Sequence, residues 1–326
     1  MIVPSALSGA GAAPAPIFAP ALAFPAFSAA PSLLAAPALA AVPNSAAVSA
    51  PALSAAPALS EGFFAAAASA PEKETSPSGE HAAAALSEFR RLVDDLMSGD
   101  AARSKAATVE LNKVKLAHLN KDPDPVRTRV LELKPMQIPA GMYEVQDKAR
   151  DVRDMKKKEV DDWLREKSVP ILEDYKARKR PVDHHHEARS TWEADYDEVY
   201  THHYFDDALH RKIKGLSRDE FYAVTRAMGL FYDRDQYGAG PHDPNHLPED
   251  VRGMADDPFR SVAWQVRKRD GYEKSDEPFA EFRWAQYFRE RLKTYPTRAD
   301  FEKSVVEAMR LVHDPAAKGL PGYRPK

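Results

Sequence analysis

The chain has no cysteine among its 326 residues, which excludes disulfides, thiolate metal sites and thiol nucleophiles together and leaves the redox compartment open. Charge is the next absence: no Asp, Glu, Lys or Arg precedes Glu61. Those first 60 positions hold 23 Ala and 10 Pro. Proline fixes the backbone and removes donors, and small side chains bring too little apolar area to offset the entropy of ordering. The composition predicts a disordered, partly polyproline-like leader and linker over residues 1–80. A secretory signal would need a positive region ahead of its apolar stretch, and the first basic residue is Lys73, although Ala-rich sites such as 35–41 would suit a peptidase. A membrane span would need about 20 uninterrupted apolar residues, and Pro14, Pro16, Pro20, Pro25 and Pro31 break every window. No membrane span is expected, and a cytoplasmic location is favoured with export left open. A basic surplus is also missing. The formal net charge is -3 and the pI about 6.4, so any nucleic-acid contact must be local.

Past the leader, Leu86, Phe89, Leu92, Val93, Leu96 and Met97 recur at helical spacing up to Gly99. Asp100 can cap a second helix carrying Val109, Leu111, Val114, Leu116 and Leu119, before Pro123 and Pro125 break the chain. Residues 81–122 are therefore a helical hairpin, free to pack on the rest of the chain or to pair with another copy. From Val126 to Glu132 the pattern alternates as in a strand ended by Pro135. Helices are expected over 145–152 and 156–167, the latter with Val160, Trp163 and Leu164 inward, and strands over 169–172, 179–182 and 198–204. Ser217 with Glu220 is a capping box closed by Gly229, Asp257-Pro258 starts a helix, Pro278 opens another, and Thr297 with Asp300 starts the last. Short strands scattered among many helices predict an α+β architecture over residues 123–326, a small mixed sheet with a helical second half.

The order of landmarks resembles the ParB-like nucleases, distant relatives of the ParB and sulfiredoxin amino-terminal domain. The resemblance lies in the run from Leu131 to Gln137 with Gly141 nearby, then Glu144-Val145 and Lys148, then Asp183-His184-His185-His186. It continues in the run from Asp256 to Ser261 with Trp264, and in Phe282 and Trp284-Ala285. It implies a ParB/sulfiredoxin-type fold and phosphodiester hydrolysis. Met136 stands where family members resemble one another in carrying Thr, and the arginine-bearing phosphate box of the chromosome-partitioning relatives is replaced by the His triplet. Their nucleotide-triphosphate switch is therefore not carried over, and sulfiredoxin chemistry, which runs through a cysteine, is excluded.

A strand ending at Asp183 and a helix opening at the histidines would offer free amides and a helix dipole to a phosphate. Near neutral pH one imidazole can donate to phosphate while another takes a proton from water. Adjacent helical residues point about 100° apart, so within the candidate catalytic set of Asp183, His184, His185 and His186 the last two are preferred, His184 being expected to face solvent, and Asp183 could fix a tautomer or hold a metal. The plain alternative is a strand-to-helix turn whose histidines cap and pack. Lys134, Gln137, Lys148 and Arg260 are candidate substrate contacts, with Arg260 also readable as the buried partner of an aspartate. Eight of the 11 histidines fall between His184 and His246, which raises a divalent metal, Mg or Mn, with His202, Asp233 and Asp235 as candidates. His242 and His246 have a helical zinc spacing that Pro244 spoils. Three activities fit: a phosphodiesterase, a noncatalytic module for nucleotides or phospho-ligands, and a nucleotide-dependent phosphotransferase. Partners would be nucleic acid or nucleotide, and the oligomeric state is open.

Overall fold

The computed structural model describes residues 86–325, so the leader predicted over residues 1–80 lies outside the described residues. Two helices open the described part, α1 (Phe89–Met97) and α2 (Ala101–Ala117). Asp100 caps α2 as expected, accepting from the N–H groups of Ala102 and Arg103. The hairpin packs on the rest of the chain: Phe89, Leu92, Val93, Leu111 and Val114 share a core with Phe205, Leu209 and Phe221. Asn112 and Lys115 add hydrogen bonds from their side chains to the carbonyls of Ala227 and Met228.

A four-stranded sheet follows, built from β1 (Val126–Arg129), β3 (Val169–Glu173), β4 (Lys179–Pro181) and β5 (Glu198–His203) in the order β1-β5-β3-β4. β5 is central, antiparallel to β1 and parallel to β3, while β4 returns antiparallel to β3. The first strand is shorter than its alternation predicts. Residues 130–132 turn into a 3-10 helix because Val130 and Leu133, three apart, are both fully buried, a spacing that a strand of period two cannot place on one face. A separate two-residue parallel pair joins β2 (Pro139–Ala140) to β6 (Ala255–Asp256).

Helices α3 (Met142–Asp154), α4 (Lys157–Glu166) and α5 (His185–Glu193) cover the sheet through Val145, Val152, Val160, Leu164 and Ala188. Trp163, expected inward, is only partly buried against that cluster. α6 (Asp207–Lys214) and α7 (Arg218–Ala227) face the hairpin, and the capping box of Ser217 and Glu220 is present at α7. Gly229, at φ +67, closes α7 and lets Pro278 approach where a Cβ would stand 2.6 Å from its ring. The third core unites α8 (Pro258–Lys268), α9 (Ala280–Arg291) and α10 (Phe301–Leu311) around the fully buried Trp284. α9 begins two residues later than Pro278 suggests, after Phe279 in a left-handed conformation, and Asp300 precedes α10 without capping it. No helix among the described residues is long and apolar enough to cross a membrane.

Candidate functional site

The chain leaves β4 at Pro181, makes one more sheet bond from the Val182 N–H to the Pro170 carbonyl, and turns at Asp183 into α5. The turn is made by His184, at φ 57. Left-handed backbone is costly for a residue with a Cβ, though His is among the types that tolerate it. Two bonds hold the ring there: His184 Nδ1 lies 2.9 Å from the Ser168 carbonyl and 3.2 Å from that of Lys167. A carbonyl only accepts, so Nδ1 carries the proton and Nε2 has the free lone pair. His184 is therefore half-buried and anchored rather than turned to solvent.

His185 and His186 do different work. The Met136 N–H donates to His185 Nε2 at 3.3 Å, and the Gly141 N–H donates to His186 Nε2 at 3.0 Å. Both rings are buried and uncharged. Burial, reinforced by the neighbouring His186, lowers His185 to about 3. Burial lowers His186 to about 4 against the pull of Glu144. The lone pair that each would need as a base already accepts a main-chain amide. These bonds pin the 136–141 segment, which carries Gln137 into the site with its Nε2 donating to the Pro139 carbonyl.

Beyond the rings lies a buried charge network. Lys148 Nζ donates to Glu144 at 2.7 Å and to Glu187 at 2.5 Å, and Arg260 donates to the other Glu144 oxygen at 3.0 Å. Burial works against the Glu144 carboxylate, and the charges of His186, Arg260 and Lys148 outweigh it, holding its proton affinity below the usual range. With His186 uncharged near neutrality, Arg260 and Lys148 supply that attraction. Burial also works against Glu187, which Lys148 brings down to about 2. Lys148 is raised by its two carboxylates in spite of burial. Arg260 is only 6% exposed, yet its Nε has no hydrogen-bond partner and its second terminal nitrogen reaches no closer than 3.9 Å to Glu281.

These groups wall a cleft of about 390 Å³ at the start of α5, where no side chain caps the helix. Asp183, His184, His185, His186, Gln137, Lys148 and Arg260 all line it, so seven of the residues singled out in the sequence are brought together. Lys134 is not among them; it lines a different cleft. Arg260 pairs with Glu144 rather than with an aspartate, and the neighbouring Asp257 instead binds Arg289 at 2.7 Å. The metal candidates stay apart. His202 bonds Ser168, Asp233 pairs with Arg226, and Asp235 ties its own turn through Tyr237, Ala239 and His242. Among the described residues no three His, Asp or Glu side chains converge to hold a metal ion.

Glu187, Glu281 and Lys115 also line the cleft, and the sequence reading passed over them. Glu144 and Lys148 sit four apart on one helix, a pairing that spacing alone could have flagged. Lys115 gave no signal: it comes from the hairpin, where burial lowers its proton affinity.

The comparisons agree with this architecture. Residues 126–290 match the family described as "Putative ParB-like nuclease". The crystal structure of protein Atu1540 from Agrobacterium tumefaciens is similar at 29% identity and a TM-score of 0.54, over 63% of this chain and all of that one. The curated proteins contain no match. With a family match that spans the sheet, the His turn and the Arg260 helix, the chain belongs to the ParB-like nuclease family.

Proposed function

We propose that the cleft binds a phosphate ester and hydrolyses it, with a phosphodiester of nucleic acid as the substrate class that the family's name supports. The observation that carries this reading is the unfilled donor set. A buried guanidinium keeps an Nε without an acceptor, beside a helix start without a side-chain cap. An unpaired buried donor costs about 1–3 kcal/mol, and a phosphate oxygen would remove that cost while meeting the positive end of the helix. Lys148 has three N–H donors and spends two on Glu144 and Glu187, which leaves a third for the ligand.

His184 is the base in this scheme, in place of His185 and His186. Its Nδ1–H is fixed by the 167 and 168 carbonyls, and its Nε2 has no protein partner among the described residues. Nε2 takes a proton from water, the water oxygen forms a bond to phosphorus, and one ester P–O bond breaks, its oxygen taking a proton from solvent. His185 and His186 are positioning residues that hold the 136–141 wall. A second reading, binding without turnover, is favoured by the occupied Nε2 atoms of those two rings.

The test is turnover of bis(4-nitrophenyl) phosphate and of a labelled oligonucleotide by the full chain and its His184→Ala variant. Loss of a general base lowers the rate by about 10²–10⁴, read at a temperature where circular dichroism shows the variant still folded, because losing the two ring bonds lowers its melting temperature. Full turnover by His184→Ala would sink the assignment of the base. Saturable binding with no turnover by either protein would leave the binding module.

A further inference from the structure

The β3–β4 connection borders a second cleft of about 330 Å³, whose wall includes Lys134, Tyr175, Lys176, Arg178, Arg180 and Arg218. Gln137, three residues beyond Lys134, lines the first cleft, so one segment of main chain edges both. In a chain of net charge -3, five cations line this second wall against one carboxylate, Glu249. The floor is built rather than merely solvated. Asp174 is completely buried and accepts from Arg178 Nε and from Arg180 Nε, each at 2.8 Å, so two guanidiniums share one carboxylate. Arg180 is itself only 5% exposed on its side chain. Lys134 and Lys176 form no ion pair among the described residues, and Lys134 feels Asp250 only at longer range. Arg218 shares the exposed Asp219 and Asp243.

Aromatic rings alternate with these charges. The half-buried Tyr175 ring lies 5.4 Å from the Arg178 guanidinium and 5.8 Å from Lys176 Nζ. Tyr222, a buried residue of the same wall, lies 5.9 Å from Arg180 and 5.8 Å from Arg218. Cations that track a backbone beside a ring on which a base can stack are the combination that holds single-stranded nucleic acid. A duplex presents a convex backbone, which a recess of this size cannot follow, whereas a flexible strand can turn a phosphodiester and a base into it.

We propose that this second cleft is a contact site for single-stranded nucleic acid, with Lys134 and Lys176 on its phosphates and Tyr175 against a base. The site is separate from the His184 cleft and does not require that cleft to be catalytic.

Fluorescence anisotropy of a labelled 20-nucleotide single strand, titrated with full-length protein over a range of salt, tests it. The double variant Lys134→Ala/Lys176→Ala removes one half-buried and one exposed cation, neither of them in an ion pair among the described residues, and leaves the melting temperature in place. Its affinity should fall at least tenfold at low salt. The slope of log affinity against log salt should fall by about 1.4, at about 0.7 per lost phosphate contact on a single strand. Tyr175→Leu should weaken binding about tenfold with the slope unchanged, because stacking releases no counterions. His184→Ala should bind the strand as the wild type does. The inference is overturned by a double variant of unchanged affinity and slope, by equal affinity for duplex of the same length, or by displacement of the strand by equimolar inorganic pyrophosphate. Loss of strand binding in His184→Ala would also overturn it, by putting the strand in the first cleft.

Discussion

The Gly141 N–H donates to the Nε2 of His186 at 3.0 Å, so the last ring of the His triplet serves as an acceptor for the main chain. That bond keeps Nε2 unprotonated, because the ring cannot accept from an amide and carry a proton on the same nitrogen.

The first prediction is a loss of stability on mild acidification. His186 falls to about 4 in the fold, against an ordinary value near 6.5. Between those values the unfolded chain binds a proton that the native chain refuses, so stability drops as pH falls from about 6.5 to about 4 and this contribution is then exhausted. At about 1.4 kcal/mol per pH unit, the ring contributes about 3 kcal/mol to the loss. His185, lowered to about 3, adds to the same window. Thermal melts of wild type and His186→Gln across pH 4–7 check this. A wild-type melting temperature flat over that range would contradict neutral, buried rings.

Much of the lining of the candidate cleft was legible before the fold was known, and the part that was not has a physical reason. Asp183 to His186, Lys148 and Arg260 were found because a strand end, a His run and a helix start are local patterns, and local patterns survive in one dimension. The division of labour among the rings was not local. It depends on which amide meets which nitrogen, 45 residues apart for Gly141 and His186. Lys134 was misplaced because the 134–137 segment passes between two clefts. The strand over 169–173 was readable from a short apolar run and that over 198–203 from alternation, whereas the 3-10 turn at 130–132 reflects burial at two positions three apart.

The second prediction concerns Glu144, which serves the buried Arg260 and the half-buried Lys148. Glu144→Gln keeps the shape and removes the charge, leaving Lys148 with Glu187 alone and Arg260 with only Glu281, at 3.9 Å. Breaking a buried pair by removing one partner costs about 3–5 kcal/mol. The melting temperature should fall by roughly 10 °C for a domain of this size. Adding Lys148→Met should recover part of that loss, since the two residues are coupled. Equal and additive losses in the single and double variants would mean that the network contributes no coupling.

The third prediction tests how closely α3 and α8 approach. A Cβ built on Gly141 would stand 2.8 Å from Ser261 Oγ, 3.0 Å from its amide nitrogen and 3.2 Å from its Cα. Two of those three atoms are backbone, so rotation of the serine side chain cannot relieve the clash. Gly141→Ala should destabilise by about 1–3 kcal/mol, and Ser261→Gly should recover little of it. A fully stable Gly141→Ala would show that the helices can part at no cost.

The last prediction separates the family segment from the folding unit. The family match begins at residue 126, but Phe89, Leu92, Val93, Leu111 and Val114 of the hairpin are all buried in the core that holds Phe205, Leu209 and Phe221. Burial of each such side chain contributes about 1.5–3 kcal/mol, so the five together reach about 7–15 kcal/mol, as much as the whole net stability of a typical domain. Deletion also strips partners from the carbonyls of Ala227 and Met228. A fragment starting at Val126 should therefore be unfolded or aggregated, whereas one starting at Leu86 should melt cooperatively. Circular dichroism and thermal melts of the two fragments decide it. A cooperative transition in the shorter one would mean that the hairpin is an accessory to a core that stands alone.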